Sequence, residues 1–475
     1  MAKNNTKKQT EEPLLQKLFE LIERHRPAFK QERPYQRAVW LLLSELLSFA
    51  RHTVTQGLLV LGETGNDWSA WYRLFSHKRF DYKALTSITL RETIKEGPTK
   101  EPYVVGVDGM LVPRSSQKMP GTSWWKVLGS APFKPGLARA QRFVHLSWLT
   151  KQESGYSRAI PLQMLPAFPE KAVAAETEKR KDWEAAIDGL RWVRQELDTA
   201  GRKAQPLLVL VDGGFERTVE FWRQLPERSV LLGRTARSRV LYALPGEYQG
   251  KGRPKSYGER ARKPSEWLKV KEGWKTTEVR VRGRMREMRY RIEGPYLREG
   301  LLDQPVFLIV VRGMDRHVSG KRVKRDPVFF LVSAVQQDET WTLPFPEEAL
   351  LAWAWQRWEL EVAHREMKSG FGLGEKQCWN KRSAVRSVQW SAWVYALLLL
   401  AGYRTWGLQN GPATPARWWS GSGRWSFNTL WRAYRAALWG TRDFQAVCSL
   451  TTANWQKKEA WLATLRNSAA AAIRS

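Results

Sequence analysis

Three acids stand out by where they sit. Asp108 closes the apolar run Tyr103-Val104-Val105-Gly106-Val107, and Asp212 closes Leu207-Leu208-Val209-Leu210-Val211. Runs of this length and β-branched character read as strands, so each carboxylate leaves the end of a buried strand. On neighbouring strands the two carboxylates would lie side by side and repel, and their proton affinities would split. A divalent cation removes that cost, and Mg²⁺ takes hard oxygen ligands of this kind. Taken singly, each Asp also reads as a turn or cap residue, because Gly follows it. The third acid is Glu361, within Arg357-Trp358-Glu359-Leu360-Glu361-Val362-Ala363-His364-Arg365-Glu366-Met367-Lys368. On a helix, positions 357, 361, 364 and 368 share one face. That face presents a carboxylate flanked by Arg357, His364 and Lys368, which suits a metal ion carrying a phosphate. The plain alternative is a solvated, ion-paired helix face, the role expected for Glu359 and Glu366, which point elsewhere.

The charge balance selects the partner. Lys+Arg 78 against Asp+Glu 47 gives a formal net charge of +31 over 475 residues. A positive excess of this size opposes compaction unless a polyanion neutralises it, and nucleic acid rewards it through counterion release. The apolar content, 43%, is that of a folded chain rather than a basic tail. A membrane surface is the weaker option, because the most apolar stretch, Trp393 to Ala401, falls short of spanning length. The opening residues are polar, so no signal peptide is expected. The two cysteines, Cys378 and Cys448, are far apart, which argues against a disulfide framework or a thiolate zinc site and fits the cytoplasm. No phosphate-binding Gly-rich loop points to ATP. The 26 Trp residues offer flat faces for stacking on bases, although most of them are expected to pack cores.

The elements that position the acids follow from periodicity. Apolar residues recur at helical spacing from Leu14 to Ile22, from Tyr35 to Val60 and from Trp68 to Ile94. No helix-turn-helix pattern stands out among them. The Asp108 strand, a second strand over Arg142 to Leu149, a helix from Glu176 to Leu197, the Asp212 strand, a helix from Glu216 to Gln224 and a strand over Ser229 to Gly233 form an α/β alternation. The Asp212 run is apolar throughout, as in a strand covered on both faces. From Arg237 to Glu339 the helical signal vanishes, and strands appear at Val279 to Gly283, Arg286 to Ile292, Val306 to Val311 and Val328 to Ser333. Helices return from Glu347 past Lys368, from Val388 to Tyr403, and in a Trp-rich tail. The expected domains are 1–98, helical and DNA-binding; 99–236, the first part of an α/β core; 237–345, a β-rich insertion; 346–405, the remainder of the core; and 406–475, helical, for DNA binding or dimerisation. The cations Arg234, Arg237, Arg239, Lys251, Arg253, Lys255, Arg260, Arg262 and Lys263 read as a phosphate track beside the acids, the alternative being a solubilising surface. His145, inside a strand, reads as structural, and His364 as a group near the phosphate.

The segment around Glu361 resembles the Y-x2-R-x3-E-x6-K signature of bacterial insertion-sequence DD-E transposases of the IS-four type. Arg357, Glu361 and Lys368 match its R, E and K, Ala354 stands where the Tyr would be, and Phe371-Gly372-Leu373-Gly374 also looks like that family. The order of parts agrees over roughly residues 35 to 405. The resemblance implies a ribonuclease-H-like mixed sheet interrupted by the β-rich insertion, with Asp108, Asp212 and Glu361 binding two Mg²⁺ or Mn²⁺ ions. It implies metal-dependent cleavage at transposon ends, a DNA hairpin, strand transfer into target DNA, and a homodimer bridging two terminal inverted repeats. It also makes Trp267 and Trp274 candidates to receive a flipped base, the alternative being hairpin packing. Two other readings share the core: a domesticated or inactive DNA-binding protein, and a metal-dependent nuclease without strand transfer.

Overall fold

The computed structural model describes residues 13–127, 133–134, 136–248, 250, 253–313, 315–318, 321–324, 326–412 and 424–439. Lys251, Cys448 and the tail beyond Trp439 lie outside them. Five helices come first: α1 (Pro13–Arg24), α2 (Glu32–Leu47), α3 (Val54–Leu61), α4 (Ser69–Ser76) and α5 (Tyr82–Glu96). Their ends carry the expected stops. Thr53 caps α3 by accepting from the Gln56 amide, and Asp81 caps α5 by accepting from the Lys83 amide. Gly62 ends α3 in the left-handed region at φ 73°.

The sheet follows. In chain order come β1 (Tyr103–Pro113), β2 (Thr122–Lys126), β3 (Leu137–Leu149), β4 (Ala159–Pro166), α6 (Asp182–Thr199), β5 (Leu207–Val211), α7 (Gly213–Glu216), α8 (Val219–Arg223) and β6 (Ser229–Arg234). Next are β7 (Tyr242–Ala243), α9 (Pro264–Trp267), β8 (Lys275–Val281), β9 (Arg284–Arg298), β10 (Leu301–Val311), β11 (Asp315–Val318), β12 (Lys321–Lys324), β13 (Val328–Ser333), β14 (Val335–Gln337) and β15 (Thr340–Thr342). The chain ends, within the described residues, on α10 (Glu347–Gln356), α11 (Trp358–Arg365), α12 (Ser383–Trp406) and α13 (Phe427–Trp439).

Eleven strands form one mixed sheet in the order β2-β3-β1-β5-β6-β13-β10-β9-β7, with β4 also on β3 and β8 also on β9. β1, β5 and β6 run parallel, and β3 is antiparallel to β1. This is the α/β class expected, and it is consistent with a ribonuclease-H-like core. Every residue of β5 is buried, as the unbroken apolar run required. Within 237–345, β13 pairs with β6 (Phe330 opposite Arg234) and β10 and β9 continue the core sheet outward from it, while β11–β12 and β14–β15 form two separate two-stranded sheets.

Three local differences from the sequence reading have physical causes. The helix expected from Glu176 begins at Asp182, where the Glu184 carboxylate accepts from the Lys181 amide and fixes the start. The helix expected from Glu347 past Lys368 is interrupted at Arg357 and finishes in a π-turn, Glu366–Gly370. The apolar stretch around Trp393 is the middle of a 24-residue helix. By length and composition that helix could cross a membrane, yet it is almost wholly buried, packed against β4, α1 and α5. A buried ion pair ties the N-terminal helices to the segment after the π-turn. Glu45 of α2 meets Lys376 at 2.9 Å, both side chains being 1% exposed, and the Trp390 indole donates to the same carboxylate.

Candidate active site

The parallel register pairs Val107 with Val211, so Asp108 and Asp212 are the next residues on adjacent strands, which lie about 4.8 Å apart. Glu361 reaches the same place from α11. All three line one cleft of about 1860 Å³, together with Arg357, His364, Lys368 and Arg142. Two glycines leave room for side chains of the site. A Cβ on Gly106 would lie 2.7 Å from Leu360, so glycine lets α11 press onto β1 and bring Glu361 to the aspartates. A Cβ on Gly109 would lie 1.9 Å from the Arg142 guanidinium, which crosses that position to bind Asp182 at 2.5 Å. Arg142 reads in the sequence only as the start of a strand, and nothing in its sequence context marks it as part of the site. The only sequence signal for the two glycines is that they flank the acid.

The electrostatics show an acid in an uncomfortable place. Asp108 is pushed up from its ordinary 3.8 to about 6, first by burial and then by the neighbouring charge of Asp212. Arg357 opposes this from 3.7 Å and also grips Glu361 at 2.5 Å. Asp212 does serve as the cap anticipated for it: one oxygen accepts from the Gly214 and Phe215 amides at 2.9 and 3.2 Å. Capping and cleft lining coexist, because a carboxylate has further lone pairs to offer. With Arg357 between Asp108 and Glu361, no group of three acid, His or Cys side chains among the described residues stands close enough to hold a metal ion.

His364 hydrogen-bonds through Nε2 to Nδ1 of His145 at 2.9 Å, and Nε2 of His145 pairs with the Ser147 hydroxyl at 2.7 Å. Burial pushes His145 down to about 3 and holds His364 well below the ordinary histidine range, so both rings are neutral at pH 7. Lys368, on the π-turn, is also shifted down, by burial and then by Arg142.

The opposite wall of the cleft is basic. Arg234, Arg237, Arg239 and Lys263 line it. Arg239 is tied at 2.6 Å to Glu216, a fully buried acid four residues after Asp212 that also meets Arg298 at 3.3 Å. Arg253, Lys255, Arg260 and Arg262 are exposed, and none of them lines the cleft. Trp267, in α9, and Trp274, just before β8, are partly buried in a stack with arginines. Arg291 lies 4.1 Å from the Trp267 ring and Arg312 lies 4.2 Å from the Trp274 ring. Neither ring lines the cleft.

The far side of α11 departs from the sequence reading. Glu359 and the Glu366 carboxylate are not on a solvated face. Glu359 is 5% exposed, and Glu366 meets Arg158 at 3.3 Å and accepts from the Tyr395 hydroxyl at 2.6 Å. α12 and Arg158, the residue just before β4, supply these partners, which the helix periodicity alone could not reveal. Ala354 is buried beside Trp355 and the half-exposed Trp358, at a smaller cavity that shares Arg234 and Arg357 with the cleft.

A family model described as a DDE superfamily endonuclease matches residues 24–294, more than half of the chain. The match takes in both aspartates and stops before α11. No curated protein matches the chain.

Proposed function

The chain belongs to the DDE superfamily of endonucleases, and on that premise we propose that it is a cut-and-paste transposase. It would cleave DNA at transposon ends by metal-dependent phosphoryl transfer and join those ends to a target. Membership of the family makes it a nuclease- or transposase-type enzyme acting on DNA. Transposition is supported by the convergence of Asp108, Asp212 and Glu361 on one cleft walled by cations.

The donor set fits a divalent cation. Three hard carboxylates share the cleft, and burial followed by the charge of Asp212 pushes Asp108 up to about 6, a cost that a bound cation would offset. Asp108, Asp212 and Glu361 would hold Mg²⁺ or Mn²⁺, two ions in all. When bound, the ions supply activation of water or a 3′-hydroxyl and stabilisation of the leaving oxygen. The chain's own residues do the rest. Arg357, now clamped between Asp108 and Glu361, transfers its guanidinium to the phosphate as DNA enters, and this frees Glu361 for the ions. Lys368 and Arg142 hold the non-bridging oxygens. Neutral His364, fixed by His145, borders the phosphate without adding charge. Arg234, Arg237, Arg239, Lys263 and the exposed Arg253 and Lys255 follow the backbone away from the cut. A homodimer on two terminal inverted repeats, passage through a DNA hairpin, and a cytoplasmic, nucleoid-associated location complete the reading.

One observation favours a second reading, an inactive DNA-binding protein: Arg357 already occupies the place between Asp108 and Glu361. The test is a joining reaction with a labelled duplex bearing the element's terminal repeat, a plasmid target and Mn²⁺. The transposase yields end-cleaved DNA, hairpin ends and joined product. Cleavage without joining leaves only a nuclease, and tight binding without cleavage puts the inactive reading first.

A further inference from the structure

From Gly109 to Gln152 the chain carries seven Lys or Arg and no Asp or Glu. Within that stretch β2 and the start of β3 form a hairpin that outruns the sheet. β1 stops at Pro113, opposite Ala140, while Leu137, Ala138 and Arg139 go on pairing with Lys126, Trp125 and Trp124. Beyond Ala140, then, the hairpin is a two-stranded ribbon. Directly paired residues share a face, so one face of the ribbon carries Trp124 and Arg139 as one pair and Lys126 and Leu137 as the next. Trp124 is 48% and Leu137 65% exposed, and the Arg139 guanidinium lies 5.8 Å from the Trp124 ring. The other face belongs to the catalytic cleft, which Ala138, Ala140 and Arg142 line.

We propose that this ribbon is a DNA-gripping arm that enters a groove of the duplex leaving the cleft. Ala138 and Ala140 face inward together with Trp125, and Lys126 and Arg139, whose guanidinium rests on the Gln117 carbonyl and the Thr122 hydroxyl, reach the flanking phosphates. The inference rests on the DNA-cutting reading above and adds a second contact surface to it. A two-stranded ribbon is the size that the major groove admits, and the lack of any acid over the whole stretch fits a polyanion rather than a second copy of this strongly basic chain. The reach is set by strand geometry. His145 pairs with Asp108, and Leu137 stands eight residues earlier on the same strand, so the arm meets DNA roughly 26 Å from the acids, about eight base-pair steps.

The test is the salt dependence of binding to a 40-base-pair duplex of arbitrary sequence, with no divalent ion, for the wild type, Lys126→Ala/Arg139→Ala, and a control pair. The control is Lys100→Ala/Lys203→Ala, two exposed lysines just before β1 and β5, at the end of the sheet opposite Asp108 and Asp212. Each lost phosphate contact lowers the slope of log K against log salt by about 0.9. The arm predicts a slope shallower by about two for the hairpin pair, little change for the control pair, and recovery of most of one unit when Arg139→Lys replaces Arg139→Ala. Equal slopes in the hairpin pair and the wild type would overturn the arm while leaving DNA cutting intact. A wild type that binds DNA with no salt dependence would bring down the DNA reading itself, and the arm with it.

Discussion

At the residue scale, the centre of the account is a carboxyl that folding makes reluctant to ionise. Asp108 rises from 3.8 to about 6 on burial beside Asp212. A group that binds its proton more tightly when folded opposes folding once the solution is basic enough to remove that proton. The cost is therefore complete above about pH 6 and disappears as the pH falls through 4. In the metal-free protein, Asp108→Asn should raise stability at pH 7 by up to about 3 kcal/mol, and the difference should close below pH 4. Thermal unfolding in a chelator across that range measures it. An Asp108→Asn protein that is less stable than wild type at pH 7 would mean that Arg357 already compensates the charge. Much of this site was legible from single residues. A carboxylate at the end of each apolar run and an acid with a histidine three positions away and cations four and seven positions away on a helix were enough to gather Asp108, Asp212, Glu361, Arg357, His364 and Lys368. Arg142 and Glu216 were not legible. Each matters through a partner distant in sequence, Asp182 for one and Arg298 for the other.

At the element scale, period and chemistry made the helices and buried strands readable, and tertiary partners decided the rest. β4 carries two Pro, a Gln and a run of buried residues on both faces, so no alternation announced it. The interruption at Arg357 and the π-turn after Arg365 arise where the helix must present Arg357 and Lys368 to the cleft while burying Glu359 and Glu366 behind it. π-turns of this kind recur at functional sites. The Glu45–Lys376 pair locks α2 to the chain that follows this turn. Removing one partner of a buried pair strands the other charge. Lys376→Met should therefore cost roughly 3–5 kcal/mol in urea unfolding, and adding Glu45→Gln should return a large part of it, since the Trp390 indole still finds an acceptor. If the double variant is no more stable than Lys376→Met alone, the pair is not what couples the two elements.

At the scale of the whole molecule, one continuous sheet joins the strands that lead to Asp108 and Asp212 to the β-rich region. β13 covers the edge of β6 along Leu232, Gly233 and Arg234, and an uncovered edge of that kind recruits other chains. A protein lacking residues 237–345 should accordingly aggregate on expression, and a soluble, monodisperse product with native-like helix content would show that the core stands by itself. The net charge of +31 is distributed to match. The cleft wall and the β2–β3 arm are cationic, and besides the three acids at its centre the cleft is lined by Glu216, paired with Arg239 and Arg298, and by Glu266 and Asp326. The measurement that tests the central claim most directly is single-turnover nicking of duplex DNA carrying the terminal repeat in Mn²⁺, comparing wild type with Asp108→Asn, Asp212→Asn and Glu361→Gln. The account predicts nicking by wild type that a chelator abolishes, and a loss of at least about a hundredfold in each variant with DNA binding retained. Nicking by Glu361→Gln at the wild-type rate would contradict it, for the α11 acid would then have no part in holding the ions.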